Sequence, residues 1–148
     1  MSSPTIPGYT FGSSSIARSP VTLADLERLQ KTLLFGPDDV RALQRSKAIL
    51  ADQTEARFDQ VWLDWQHELG LRHHRTKKNK TDDANAVEHI SFRYLSALTI
   101  PVTSTLKPFL AKKGAAPAEV EAMHAAWVKA VLLQTILWSH PYVKQGDF

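Results

Sequence analysis

The sequence predicts an all-α fold, and three observations carry that expectation. Apolar residues recur at three- and four-residue spacings, as in Leu23, Leu26, Leu29 and Leu33. No stretch of useful length shows the strict alternation of a half-buried strand. The glycines fall at the edges of the periodic segments, with Gly70 as the exception. At 148 residues, 43% of them hydrophobic, the chain is long enough to bury a core as one domain spanning 1–148.

The first 20 residues read as an irregular arm. Pro4, Pro7, Gly8, Gly12 and the serines at 13, 14 and 15 oppose regular structure. Ile6, Tyr9, Phe11 and Ile16 nevertheless give the arm an apolar side, so it should pack over the body. The first helix opens at Thr22, where Thr22 and Asp25 form a weak version of the capping box. Gly36 and Pro37 should stop it. Residues 38–69 contain neither Gly nor Pro, and Val40, Leu43, Leu50, Phe58, Val61, Trp65 and Leu69 can share one drifting helical face. A continuous helix of that span would be about 48 Å long at ~1.5 Å per residue, against about 38 Å for the diameter of a compact domain of this size. The helix therefore breaks, most naturally at residues 51–57, or it protrudes under cover of another chain.

Residues 79–88 are a polar connection. A helix should then run from about 89 to 112, kinked by Pro101 and disturbed by Pro108, with Gly114 as its stop. Pro117 suits the first position of a last helix. Val120, Met123, Trp127, Val131, Gln134 and Trp138 follow its face, and Leu132, Leu133, Ile136 and Leu137 widen the apolar surface. A helix apolar over most of its circumference belongs in a core or in an oligomer interface.

Composition narrows the function classes. With no cysteine, disulfides, thiolate-ligated haem, iron–sulfur clusters and thiolate zinc sites are excluded, and a reducing cytoplasm is the compartment that fits. No window approaches 18 uncharged apolar residues, so no membrane span is expected; the Ser- and Pro-rich start does not read as a secretory leader. The formal charge of +3 is mild and mostly local, in Arg72, Arg75, Lys77, Lys78 and Lys80. Such a run ordinarily marks a solvated helix end, where cations complement the helix dipole. A nucleic-acid surface would call for interleaved aromatics or a known motif, and the run has neither. Phosphate loops, nucleophile elbows and metalloprotease helices are absent from the sequence.

Among the six histidines, His73 stands out by register. Val61, Trp65, Leu69 and His73 are spaced by four, so His73 ends an apolar stripe, where with Trp65 and Leu69 it is placed to meet something flat and apolar. Its second ring nitrogen is in reach of a carbonyl one turn back, near Leu69, which would set the tautomer. The competing reading is a hydrogen-bonded core histidine, since haem ligation by one His leaves no spacing signature. His74 diverges from His73 on the helix, and no partner lies at zinc spacing.

Longer blocks add a resemblance. The run from Trp62 to Asn79 (Trp-Leu-Asp-Trp-Gln-His-Glu-Leu-Gly-Leu-Arg-His-His-Arg-Thr-Lys-Lys-Asn) closely resembles the proximal helix of protoglobins. The arm from Ile6 to Gly12, the Arg93-Tyr94-Leu95 triplet, Pro101, the stretch from Lys107 to Gly114 and that from Trp138 to Lys144 are similar to other parts of that family. The resemblance implies a globin-like fold with an N-terminal arm, one long helix leading into the proximal helix, and two long C-terminal helices. It implies haem b held by His73, the first of the His-His pair, with Leu95, Leu98 and Val102 lining the pocket. It implies diatomic ligands (O2, CO, NO) and a homodimer or higher homo-oligomer formed through the last two helices.

The sequence also departs from the family. Gln53 to Arg57 runs almost directly into Phe58 to Trp62, where family members insert a helix with a distal Trp-Tyr pair, a loop and another long helix. Roughly two helices of about 11–12 residues each are absent, with their loops. A shortened protoglobin is thus expected, open on the distal side. Two alternatives stand beside gas binding. One is peroxidase-like or carbene-transfer catalysis on an exposed haem, for which no acid–base residue is evident. The other is a haemless helical oligomerisation module.

Overall fold

The structure, a computed structural model, describes the backbone of residues 5–6 and 9–10 and the whole of residues 11–50, 57–76 and 87–148. Among the described residues, regular structure is helical apart from a two-residue antiparallel pair in the arm, β1 (Thr5–Ile6) with β2 (Tyr9–Thr10). The helices are α1 (Leu23–Thr32), α2 (Pro37–Leu50), α3 (Gln60–His73), α4 (Phe92–Ala97), α5 (Thr99–Leu110) and α6 (Pro117–Trp138).

Each begins where local chemistry dictates. The Thr22–Asp25 pair is a full capping box: the Asp25 N–H donates to Thr22 Oγ1 at 3.1 Å and the Thr22 N–H to Asp25 Oδ2 at 3.1 Å. α1 ends four residues before the expected Gly36 stop, because Leu34 adopts a left-handed φ of 53°. Pro37 then serves as the first residue of α2. Asp59 caps α3, its Oδ1 accepting from the Trp62 N–H at 2.9 Å. Pro117 opens α6, and Gly114, at φ 75°, closes the 3-10 turn that follows α5.

The 38–69 segment is interrupted, as its length required, since residues 57–59 are non-helical between α2 and α3; residues 51–56, where the break was also expected, lie outside the described residues. Phe58, immediately before the α3 cap, takes a left-handed φ of 53°. Such a conformation costs a bulky residue of order 1–3 kcal/mol. Burial offsets it, as the Phe58 ring lies 5.2 Å from Phe35 and 4.8 Å from Trp62. The expected 89–112 helix is corrected to two, with its break at Leu98 instead of Pro101. Pro101 sits in the first turn of α5, where an N–H would have no intrahelical acceptor. Its ring would clash with the carbonyl four residues back, at Ala97, where α4 stops.

α6 is the central element. It shares one buried cluster with α1 and α3 (Leu26, Trp62, Leu63, Leu133, Leu137), a second with α2 (Leu43, Ala126, Ala130), and a third with α5 (Leu110, Val120, Met123). By length and composition alone α6 could cross a membrane; four helix neighbours cover much of its apolar circumference, while Val128 and Leu132 stay exposed. Polar contacts tie it in further. The Trp127 indole N–H donates to Ser46 Oγ at 2.7 Å, and Lys129 Nζ donates to both carboxylate oxygens of Asp39 and to the Leu34 carbonyl. The arm packs over α3 as expected: the Ser19 N–H donates to Asp64 Oδ1 at 2.7 Å, and the Phe11 ring meets Trp65 edge-on at 5.6 Å.

Candidate functional site

The site grows from the C-terminal end of α3. The helix stops at His73 because His74 turns extended, with its N–H still bonded to the Gly70 carbonyl at 3.1 Å. Arg72 and His73 occupy the last turn, where positive charge is favoured. The basic run is not uniformly solvated, however. Arg72 Nε donates to Glu68 Oε1 at 2.7 Å, and Glu68 is buried. Arg75 is exposed, and Lys77, Lys78 and Lys80 lie outside the described residues.

Three contacts fix His73. Its Nδ1 lies 2.6 Å from the Leu69 carbonyl oxygen. A carbonyl only accepts, so in the neutral ring Nδ1 carries the proton and the lone pair resides on Nε2. The imidazole face lies on the Trp138 indole, ring centroids 4.7 Å apart and planes 16° from parallel. The His73 carbonyl accepts from the Ile90 N–H at 2.9 Å, which brings the start of α4 to the end of α3.

Trp138 is itself held, its Nε1–H donating to Gln66 Oε1 at 2.8 Å, with Gln66 only 3% exposed. Gln66, Gly70 and His73 stand at i, i+4 and i+7, one face of α3, and all three meet Trp138. Gly70 explains itself here: a Cβ on it would sit 3.0 Å from both the Cα and the carbonyl oxygen of Trp138. The only glycine inside a described helix is therefore the point where α3 and α6 touch backbone to backbone.

The sequence-derived residues divide. His73 and Leu69 are brought together, the second through its carbonyl. Trp65 is buried beneath Phe11 of the arm. Leu98 and Val102 lie one turn apart and present half-exposed apolar side chains, 48% and 47% accessible. Leu95, in α4, is buried, and the break at Leu98 separates it from α5. The 61–65–69–73 stripe is also only part of the buried surface of α3. Val61 is exposed, while Trp62, Leu63 and Gln66 are buried. Trp138 and Gln66 were missed as site residues, although Gly70 as an interior glycine was the visible signal for a close helix approach.

The second histidine of the pair goes elsewhere. His74 meets Tyr142 and His89 edge-on, at 4.8 Å and 5.2 Å, and the Tyr142 hydroxyl donates to the Ile90 carbonyl at 2.7 Å. Burial, then repulsion from His89 and Arg75, hold the His74 imidazole below its ordinary range, and burial raises the Tyr142 phenol. Among the described residues no group of three or more His, Asp or Glu side chains could hold a metal ion by itself. A cleft of about 730 Å³ lies between α1 and the C-terminal tail, lined by Val21, Leu29, Pro141 and Phe148 among others; it contains none of His73, Trp65, Leu69, Leu95, Leu98 and Val102.

One histidine with a carbonyl-fixed tautomer, in an all-α fold with half-exposed aliphatics along α5, has the donor chemistry of a single axial ligand and suits a planar macrocycle that brings its own four nitrogens. The family model described as Protoglobin matches residues 50–148, the greater part of the chain. Fold and match together define a globin-type haem-binding protein. The chain belongs to the protoglobin family. The matched region contains α3 to α6 and the whole His73–Trp138 arrangement. No curated protein matches the chain.

Proposed function

We propose that this chain binds haem b through His73 Nε2 and leaves the opposite axial position open to diatomic gases, O2, CO and NO. The observation that carries the reading is the 2.6 Å Nδ1–Leu69 carbonyl contact. It keeps the proton off Nε2 and makes that nitrogen a ready donor. A carbonyl acceptor, unlike a carboxylate, leaves the ligand a neutral imidazole of moderate basicity. Haem, when bound, supplies the iron that holds the gas. Leu98 and Val102 supply apolar surface for its ring, at about 25 cal/mol per Å² covered, and the α3–α6 contact gives the ligand a rigid base.

The shortened connection between α2 and α3 supports an open distal side. Leu50 is followed by Gln60 as the next described helical residue, with no room between them for two further helices. Exposed apolar residues on the last helices, Ile100, Phe109, Val128 and Leu132, support homodimerisation through those helices.

Titration of the purified chain with haemin, followed by its Soret absorption, tests the reading beside His73→Ala. Saturation at one haem per chain, abolished in the variant, is the expected result. A parent chain with no specific band would overturn it in favour of a haemless helical module.

A further inference from the structure

We infer that Trp138, anchored by Gln66, is a positioning residue for the His73 imidazole. The inference rests on the haem reading above and deepens it.

The Nδ1 hydrogen bond alone leaves the ring a hinge. A single contact to a carbonyl restrains where one nitrogen lies, but the plane can still tilt about that contact within the tolerance of hydrogen-bond angles. The stack on Trp138, 16° from parallel, removes that freedom by holding the whole face. An indole able to rotate would give little guidance. This one is pinned by its own N–H on Gln66 Oε1, and that acceptor belongs to α3. Gln66 is 3% exposed, so its loss would leave the indole donor without that acceptor at a part-buried contact.

The arrangement is therefore closed. α3 supplies the ring to be oriented, the acceptor that orients the orienter and, at Gly70, the clearance that lets α6 come within reach. Only the indole comes from outside α3. Outer contacts of this kind fix the rotation and basicity of a ligand and usually matter 10–100-fold in affinity. Here the outer contact is an aromatic face in place of a second hydrogen bond.

The test compares the parent chain with Trp138→Leu, Trp138→Phe and Gln66→Leu in two states. In haem-free protein, NMR of the His73 ring is the readout. A stacked indole shifts the imidazole carbon-bound protons upfield; the shift should be kept in part by Trp138→Phe and lost in Trp138→Leu. In haem-loaded protein, Trp138→Leu should keep one haem per chain with about 10–100-fold weaker affinity. A less basic, freer imidazole should also raise the ferric–ferrous potential and broaden the iron–histidine stretching band. Gln66→Leu should move all three in the same direction by less. If Trp138→Leu and Gln66→Leu, with helix content unchanged, retain the parent ring shifts, affinity and potential, Trp138 is packing only and the inference is overturned. A parent chain that takes up no haem overturns the functional reading instead, and that failure shows separately because the ring shifts are read without haem.

Discussion

Gly70→Ala offers a prediction whose sign separates two accounts of the same residue. At an ordinary helix interior position, replacing Gly with Ala stabilises by about 1 kcal/mol through backbone entropy. Here the added methyl would lie 3.0 Å from the Cα and the carbonyl oxygen of Trp138, against about 3.5–4.0 Å for an optimal carbon contact. Both obstacles are backbone atoms of α6, which cannot swing aside as a side-chain tip can. α6 must then retreat by about 0.5–1 Å, a displacement that already forfeits a quarter to a half of each affected contact. Overpacking of this kind costs about 1–3 kcal/mol. Set against the propensity gain, the net is a destabilisation of up to about 2 kcal/mol, or a fall in Tm of up to about 8 °C for a chain of this length. Urea unfolding monitored by helix ellipticity measures it. The same retreat loosens the Trp138–His73 stack, so haemin affinity should fall with stability. A Gly70→Ala protein more stable than the parent would refute the backbone-contact argument.

Thr22→Ala removes the side-chain half of the α1 capping box and should destabilise by about 1 kcal/mol in the same urea assay, with Thr22→Ser close to the parent. The His74 imidazole is held low in the folded chain, so as pH falls the unfolded chain takes up this proton first. Stability present above the ordinary histidine range is therefore lost as pH falls through the folded-state value. His74→Gln should flatten the decline in urea midpoint between about pH 7.5 and 5; an unchanged decline would show that other groups cause it.

Much of the fold was legible because its determinants are local. The capping pair at Thr22 and Asp25, Pro117 at the head of α6 and Gly114 past α5 act within one turn, the range over which residue spacing carries information. The same holds for the core of the site. His73 and the Leu69 carbonyl are four residues apart, so the helix itself brings them together. That contact follows from the spacing, whatever packs around it.

What tertiary structure alone decided involves pairs distant in sequence. Gln66 and Trp138 are 72 positions apart, and their meeting depends on where α3 crosses α6, which no periodicity states. The left-handed Phe58 depends on two rings from other elements to hold it. Leu95 is buried while Leu98 and Val102 stay half exposed, a difference that depends on what packs against α4 and α5. The sequence thus determined that His73 meets the Leu69 carbonyl and which tautomer its neutral ring holds, through contacts inside one helix. The crossing of two helices decided that this ring stacks on Trp138, because backbone-to-backbone approach at Gly70 is a property of the pair.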